Sequence, residues 1–216
     1  VMAMRHLLLL PAILFATALP APAVIAAPSP ADATAAPLGA VSAHLKALDT
    51  MTADFSQTGA NGQMLTGKLT LARPGRIRFQ YEPGVPILVV ADGSALTFID
   101  YKVRQVSRWP IKSTPLGVLL DPSRDPTRYA RLLPSLGNEI LVEAKDPKHP
   151  EYGIITLAFE RAANAPAGLT LTGWTVVDAQ NARTTVRLAN QRYGVPVDKA
   201  TFKFKDPRPR SAPGPS

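Results

Sequence analysis

The 216 residues contain no cysteine. That excludes disulfides, thiolate nucleophiles and thiolate metal ligands, and it leaves no thiol for N-terminal lipidation. Histidine is almost as scarce: only His6, His44 and His149 occur, with no pair at metal-ligand spacing. There is no Gly-x-Ser-x-Gly elbow and no phosphate-cradling glycine loop. Asp121 and Asp125 are near neighbours, as paired acids of a catalytic site can be. They sit among Pro115, Pro122 and Pro126, in loop sequence where solvated charges are the plainer account. The one apolar run, Leu7 to Leu19, falls short of the ~20 residues that cross a bilayer. These absences point away from an enzyme and away from any cofactor or metal. Folding and binding are what the composition offers.

The N-terminus does carry a signal. Arg5 and His6 precede that run, and small residues follow up to Val24-Ile25-Ala26. A basic start, an apolar centre and a small-residue cleavage site read as a secretory signal over 1–26, with an uncleaved anchor as the alternative. The expected destination is the periplasm, as a non-lipidated protein. Residues 27–37, small and proline-rich, read as a disordered lead-in, and 208–216 as a loose tail. The stretch 38–207 is one domain's worth. Lysine and arginine number 24 against 16 acids, a formal +8. A basic surface suits an acidic partner or simply solubility. Export and the lack of interleaved aromatics argue against nucleic acid. A monomer is expected.

Along the domain, Leu38, Val41, Leu45 and Leu48 share a helical face over 38–50. Alternation around Phe55 follows, and Asn61-Gly62 is a hairpin signal. Strands are expected at 63–72, 76–82, 85–91, 95–100 and 103–107. Then Thr114-Pro115 opens LGVLL as a capped helix, and 128–133 reads as another short helix. Strands resume at 138–144, 153–160, 168–178, 182–191 and 200–204. Strands at intervals of about ten residues indicate one antiparallel sheet that curls or closes. The few helices are its natural cover.

The densest information lies in 67–93, GKLTLARPGRIRFQYEPGVPILVVADG. From Arg76 to Tyr81 the period is two, with Arg76, Arg78 and Gln80 on one face and Ile77, Phe79 and Tyr81 on the other. The pattern fits a filled core and a cavity lining equally well. For Arg76 and Arg78 it fits both a solvated face and a contact with an acidic partner or lipid headgroups.

This run resembles the LolA-type outer-membrane lipoprotein carrier proteins. So do LKALDTMTADFSQT before it, and VVADGSALTFID, TPLGVLL and ATFKF after it, in the same order over most of 45–207. The resemblance implies a mainly β fold: a single unclosed antiparallel β-barrel of about eleven strands, covered by short α-helices, with a hydrophobic cavity. It implies a periplasmic shuttle. Acylated lipoproteins would be its cargo, an inner-membrane ABC exporter their source and an outer-membrane acceptor their destination. A carrier of free lipid or glycolipid, or a lipoprotein-sensing regulator of the RseB kind, shares the same cavity logic.

Arg73 and Pro74 fall on the family's strand-end arginine and proline, where the arginine ties the barrel to its lid helices. The apolar residues that would line the cavity or meet acyl chains are Leu48, Phe55, Leu69, Leu71, Ile77, Phe79, Val89, Phe98, Leu116, Leu119, Leu120, Leu157 and Trp174. The family often has an aromatic residue at Ile77 and tryptophan at Phe79; the apolar character is kept.

Overall fold

The structure, a computed structural model, describes residues 30–121 and 129–209. The expected signal peptide, Asp125 and residues 210–216 of the expected tail lie outside the described residues.

Period-two alternation becomes strand in eleven segments. They are β1 (Thr50–Thr58), β2 (Met64–Ala72), β3 (Arg76–Tyr81), β4 (Ile87–Asp92), β5 (Ala95–Asp100) and β6 (Gln105–Pro110), followed by β7 (Ala130–Leu133), β8 (Glu139–Lys145), β9 (Ile154–Arg161), β10 (Leu169–Val177) and β11 (Arg183–Tyr193). They form one antiparallel sheet in the order β6-β5-β4-β3-β2-β1-β11-β10-β9-β8-β7. The ends, β6 and β7, do not pair, so the barrel is unclosed. Register breaks between Thr52 and Asp54 on β1, and between Leu171 and Gly173 on β10, bend the sheet. Gly67 permits close pairing of β2 with β3: a Cβ there would lie 2.1 Å from the Gln80 carbonyl oxygen.

The inner face of this curl is apolar across most of its strands. Met51, Phe55, Leu69, Leu71, Ile77, Phe79, Leu157, Phe159, Leu171 and Trp174 are buried in one cluster. The alternate residues, such as Thr52, Asp54, Lys68 and Thr70, face outward at partial or full exposure. Two helices cover the inner face, α1 (Pro30–Ala47) and the single turn α2 (Gly117–Leu120). Val41, Leu45 and Leu48 come from α1 and the residue just beyond it. Val118, Leu119 and Leu120 come from α2.

Several local expectations are corrected. α1 starts at Pro30, not at 38, and ends at Ala47. Residues 30–37, read as part of the disordered lead-in, are its first turns. Their alanine-rich sequence favours helix, and Pro30 suits the first helical position. Thr114 does not cap α2: Leu116 is the N-cap residue, without a side-chain cap, and the Thr114 hydroxyl donates to the Ile111 carbonyl at 2.8 Å. Residues 130–133 are strand β7 instead of helix, because β8 offers them a ladder partner and Glu143 pairs with Arg131. β6 runs over 105–110 instead of 103–107, since Tyr101 to Arg104 form the turn before it. The expected last strand at 200–204 is a 3-10 turn over Lys199–Phe202, opened by the Asp198 carboxylate accepting from the Ala200 N–H at 2.8 Å.

Candidate functional site

The inner face holds an aromatic group at its centre. Phe55 meets Phe79 at 5.3 Å and Tyr81 at 5.2 Å between ring centroids, and Phe79 meets Trp174 at 6.1 Å, all edge-on. Edge-on pairs set the positive ring edge against a negative face. The Tyr81 hydroxyl donates to Gln57 at 3.0 Å, so its one polar atom is satisfied. Burial pushes the Tyr81 hydroxyl up to about 12, the bond to Gln57 offsetting part of the shift. It stays a neutral donor at ordinary pH.

The expected apolar residues converge here. Leu48, Phe55, Leu69, Leu71, Ile77, Phe79, Leu119, Leu120, Leu157 and Trp174 are buried in the one cluster, and Val89 and Leu116 pack against it half-buried. Phe98 is opposite Val89 in the β4–β5 register and shares its face. Packing loosens toward the β6 edge, where Ile87, Val89 and Leu96 are only partly covered. A groove of about 540 Å³ lies between β8 and β11, where Thr156, Thr172, Glu139, Glu160 and Arg187 mix with Trp174 and Leu188 of the inner cluster in its walls.

One corner holds both covering helices. The Arg73 N–H donates to the carbonyl of Asp49, just past α1, at 2.8 Å. The Gly75 N–H donates to the carbonyl of Leu120, the last residue of α2, at 3.0 Å. Gly75 has φ +71°, and a Cβ on it would come within 2.8 Å of the Gly93 backbone, so the tight corner requires glycine. Pro74, between them, is exposed. A cavity of about 220 Å³ flanks the corner, with Pro74, Gly75, Gly93, Leu120 and Asp121 in its walls. The Arg73 side chain is half-buried, and its Nε is buried without a hydrogen-bond partner among the described residues. Burial lowers its pKa; attraction to Asp121 and Asp49, one beside each helix, works the other way.

A family model described as "Outer membrane lipoprotein carrier protein LolA" matches residues 46–205, a span that takes in all eleven strands, α2 and the corner. The chain belongs to the LolA family. A similar relative is the outer-membrane lipoprotein carrier protein of Chromobacterium violaceum, 27% identical over 195 residues, which cover 86% of this chain and 91% of that protein. The carrier protein of Legionella pneumophila (strain Corby) is 28% identical over 178 residues, 76% of this chain and 83% of its own. A crystal structure of a LolA superfamily protein from Nitrosomonas europaea aligns with a TM-score of 0.44 at 12% identity, over 79% of this chain and 97% of that one.

Within this LolA-family fold, Arg76 and Arg78 are not a free contact face. Arg78 donates through Nη1 to the carbonyls of Thr201 and Lys203, both at 3.1 Å, and through Nη2 to Gln80 at 2.7 Å. The Arg76 guanidinium lies over the Phe202 ring, 5.7 Å from its centroid. Phe202 packs on Ala72, Leu88, Val90 and Ile99. The basic side of β3 is thus covered by the chain's own C-terminal segment. Nothing in the strand's alternation could reveal that, because the partner lies more than 120 positions away.

Sequence reasoning also passed over His44. Spacing from Val41 and Leu48 puts it on the buried face of α1, which is the signal that was available. It is fully buried, its Nδ1 is 2.8 Å from the Pro166 carbonyl, and its Nε2 has no hydrogen-bond partner among the described residues. Its ring stands edge-on to Phe159 at 5.3 Å and to Tyr193 at 6.0 Å. Burial lowers its pKa below 6.5. The carbonyls of Pro166 and Leu169 oppose the shift, and Arg73 adds to it.

A lowered pKa means that the unfolded chain binds the proton first as pH falls, so folding stability drops with acid. The loss begins near the unfolded value of about 6.5 and continues down to the folded value. Urea unfolding across this range should show wild type weakening with acid and His44→Gln weakening less. Equal slopes would remove His44 as the cause.

Proposed function

We propose that this chain is a periplasmic carrier that takes the acyl chains of lipoproteins onto the inner face of its half-barrel. It would receive them from an inner-membrane ABC exporter and pass them to an outer-membrane acceptor. LolA family membership supports the periplasmic carrier role, and no helix among the described residues is long and apolar enough to cross a membrane. The N-terminal pattern of 1–26 supports export. The observation that carries the reading is the corner at Arg73–Gly75. It ties the cover of the apolar face to the sheet through one backbone bond just past α1 and one at the end of α2. α1 is held further along by His44 against the Pro166 carbonyl, so the single turn α2 is the part of the cover that can move while the sheet stays paired.

The energetics favour such a cover. Each methylene removed from water contributes ~0.8 kcal/mol, so a chain of ~16 carbons grosses on the order of 10 kcal/mol. A shuttle that gained all of that could not release. Displacing Leu48, Leu119 and Leu120 from the inner face offsets part of it, and the closed and open arrangements form a two-state equilibrium that cargo biases. Arg73, drawn to Asp49 and Asp121 at the ends of both helices, favours the closed arrangement and hence release.

Native mass spectrometry of the protein from its own periplasm tests the reading. An acylated polypeptide bound one-to-one is expected. Free lipid or glycolipid alone would transfer the role to that cargo, and an empty protein that takes up no lipopeptide would end it. Arg73→Leu should load cargo normally yet deliver it roughly tenfold less well if the latch contributes about 1.4 kcal/mol. Normal delivery would remove Arg73 from that role.

A further inference from the structure

Unlike those of β3, the basic residues of the β5–β6 turn stand among exposed apolar side chains. Among the described residues five large apolar side chains are exposed: Met64, Tyr101, Val103, Trp109 and Leu136. Three of these fall on the single β5–β6 hairpin. Val103 is 62% exposed and Trp109 47%. In the turn the apolar residues alternate with cations, Tyr101-Lys102-Val103-Arg104, all exposed. Arg108 follows on the strand and Lys112 just beyond it, also exposed.

The acids nearby are engaged by local partners. The Asp100 carboxylate accepts from the N–H groups of Lys102 and Val103, at 2.8 and 3.3 Å. Asp92 accepts from the Ser94 and Ala95 N–H groups and pairs with Arg108. Arg104 holds φ 56°, a left-handed position where glycine or asparagine costs less. A cation is kept at the tip despite that cost. β6 is the sheet edge and among the described strands pairs only with β5, so no other described strand covers the hairpin.

We infer that the β5–β6 hairpin is a docking edge for an anionic lipid bilayer. Lys102, Arg104 and Lys112 would meet headgroup phosphates, Val103 would enter the headgroup boundary, and Tyr101 and Trp109 would lie at it. The chemistry matches on each count. Aromatic side chains with one polar end favour the membrane–water interface. Juxtamembrane cations are attracted to anionic lipid. Apolar contact together with positive charge is the paired signal that reversible surface binding requires. The net charge, +8 over the 216 residues and about +7 without Arg5 of the signal, adds long-range attraction of the same sign. Docking of this kind places the partly covered end of the inner face, at Ile87, Val89 and Leu96, beside the bilayer. It holds whatever the cargo is, and its test involves no cargo.

The test is co-sedimentation of the exported form, without the 1–26 signal, with vesicles of phosphatidylglycerol and phosphatidylcholine in equal parts, against vesicles of phosphatidylcholine alone. Binding to the anionic vesicles only, weakening with salt, is expected. Each cation removed should cost about fivefold in affinity, so Lys102→Glu with Arg104→Glu should lower it at least ~25-fold. Val103→Asp should weaken binding with both cations in place. Arg187→Glu with Arg192→Glu, on exposed positions of β11, changes net charge equally and should leave most of the binding. Circular dichroism melts check that each variant is folded. The proposal is overturned by wild type that ignores anionic vesicles or binds both kinds alike. It is equally overturned if the β11 reversal costs as much as the hairpin reversal, since binding would then reflect diffuse charge.

Discussion

Leu119→Asp is expected to uncover the inner face while leaving the eleven-stranded sheet paired. Leu119 is fully buried on α2, against the apolar cluster of the inner face. An unpaired carboxylate there works against the closed arrangement by on the order of 3–5 kcal/mol. α2 is a single turn of four residues, joined to the corner by one bond from Gly75 to Leu120 and reached from the sheet through the Ile111 N–H on the Ser94 carbonyl. No strand-to-strand ladder passes through it. The variant should therefore bind a hydrophobic dye strongly while its far-ultraviolet circular dichroism stays that of wild type. Loss of strand signal in step with dye binding would mean that α2 is an integral part of the core, and the covering role would fall with it.

Phe159→Ala should cost about 3–5 kcal/mol of folding stability, a large share of the ~5–15 kcal/mol that holds a typical domain together. Phe159 is fully buried in the middle of β9, opposite Leu171 of β10 and Ile140 of β8. Its ring also meets His44 edge-on, so it seats α1 as well as the sheet. Truncation leaves a hole over three hydrogen-bonded strands, which cannot collapse to fill it. Urea unfolding would measure the loss. A cost below about 1 kcal/mol would show that this part of the inner face is loosely packed in solution and that the phenylalanine spans a space cargo could share.

Much of this was legible in the chain because alternation is a local property. Arg76 to Tyr81 and Ile155 to Phe159 display their two faces in sequence, and β3 and β9 form there with the apolar residues inward. The apolar members of the candidate site could be chosen for the same reason. Around the site, failures fell where a distant segment decided the outcome. Residues 130–133 carry no strong period of their own, and β8 makes them a strand. Arg78 looks solvated until the carbonyls of Thr201 and Lys203 arrive beside it. His44 sits at the right helical spacing for burial, but its orphaned Nε2 depends on Pro166, 122 positions away, occupying the other nitrogen.

By itself the sequence determined the class of fold, the absence of thiol chemistry and the identity of the apolar face. Composition and short-range periodicity contain all three. Only the tertiary structure decided which basic residues are spent inside the protein and which remain exposed, and that the Arg73–Gly75 corner meets both covering helices through backbone bonds. Those outcomes depend on contacts between segments far apart in the chain, where the curl of the sheet, not local pattern, sets who meets whom.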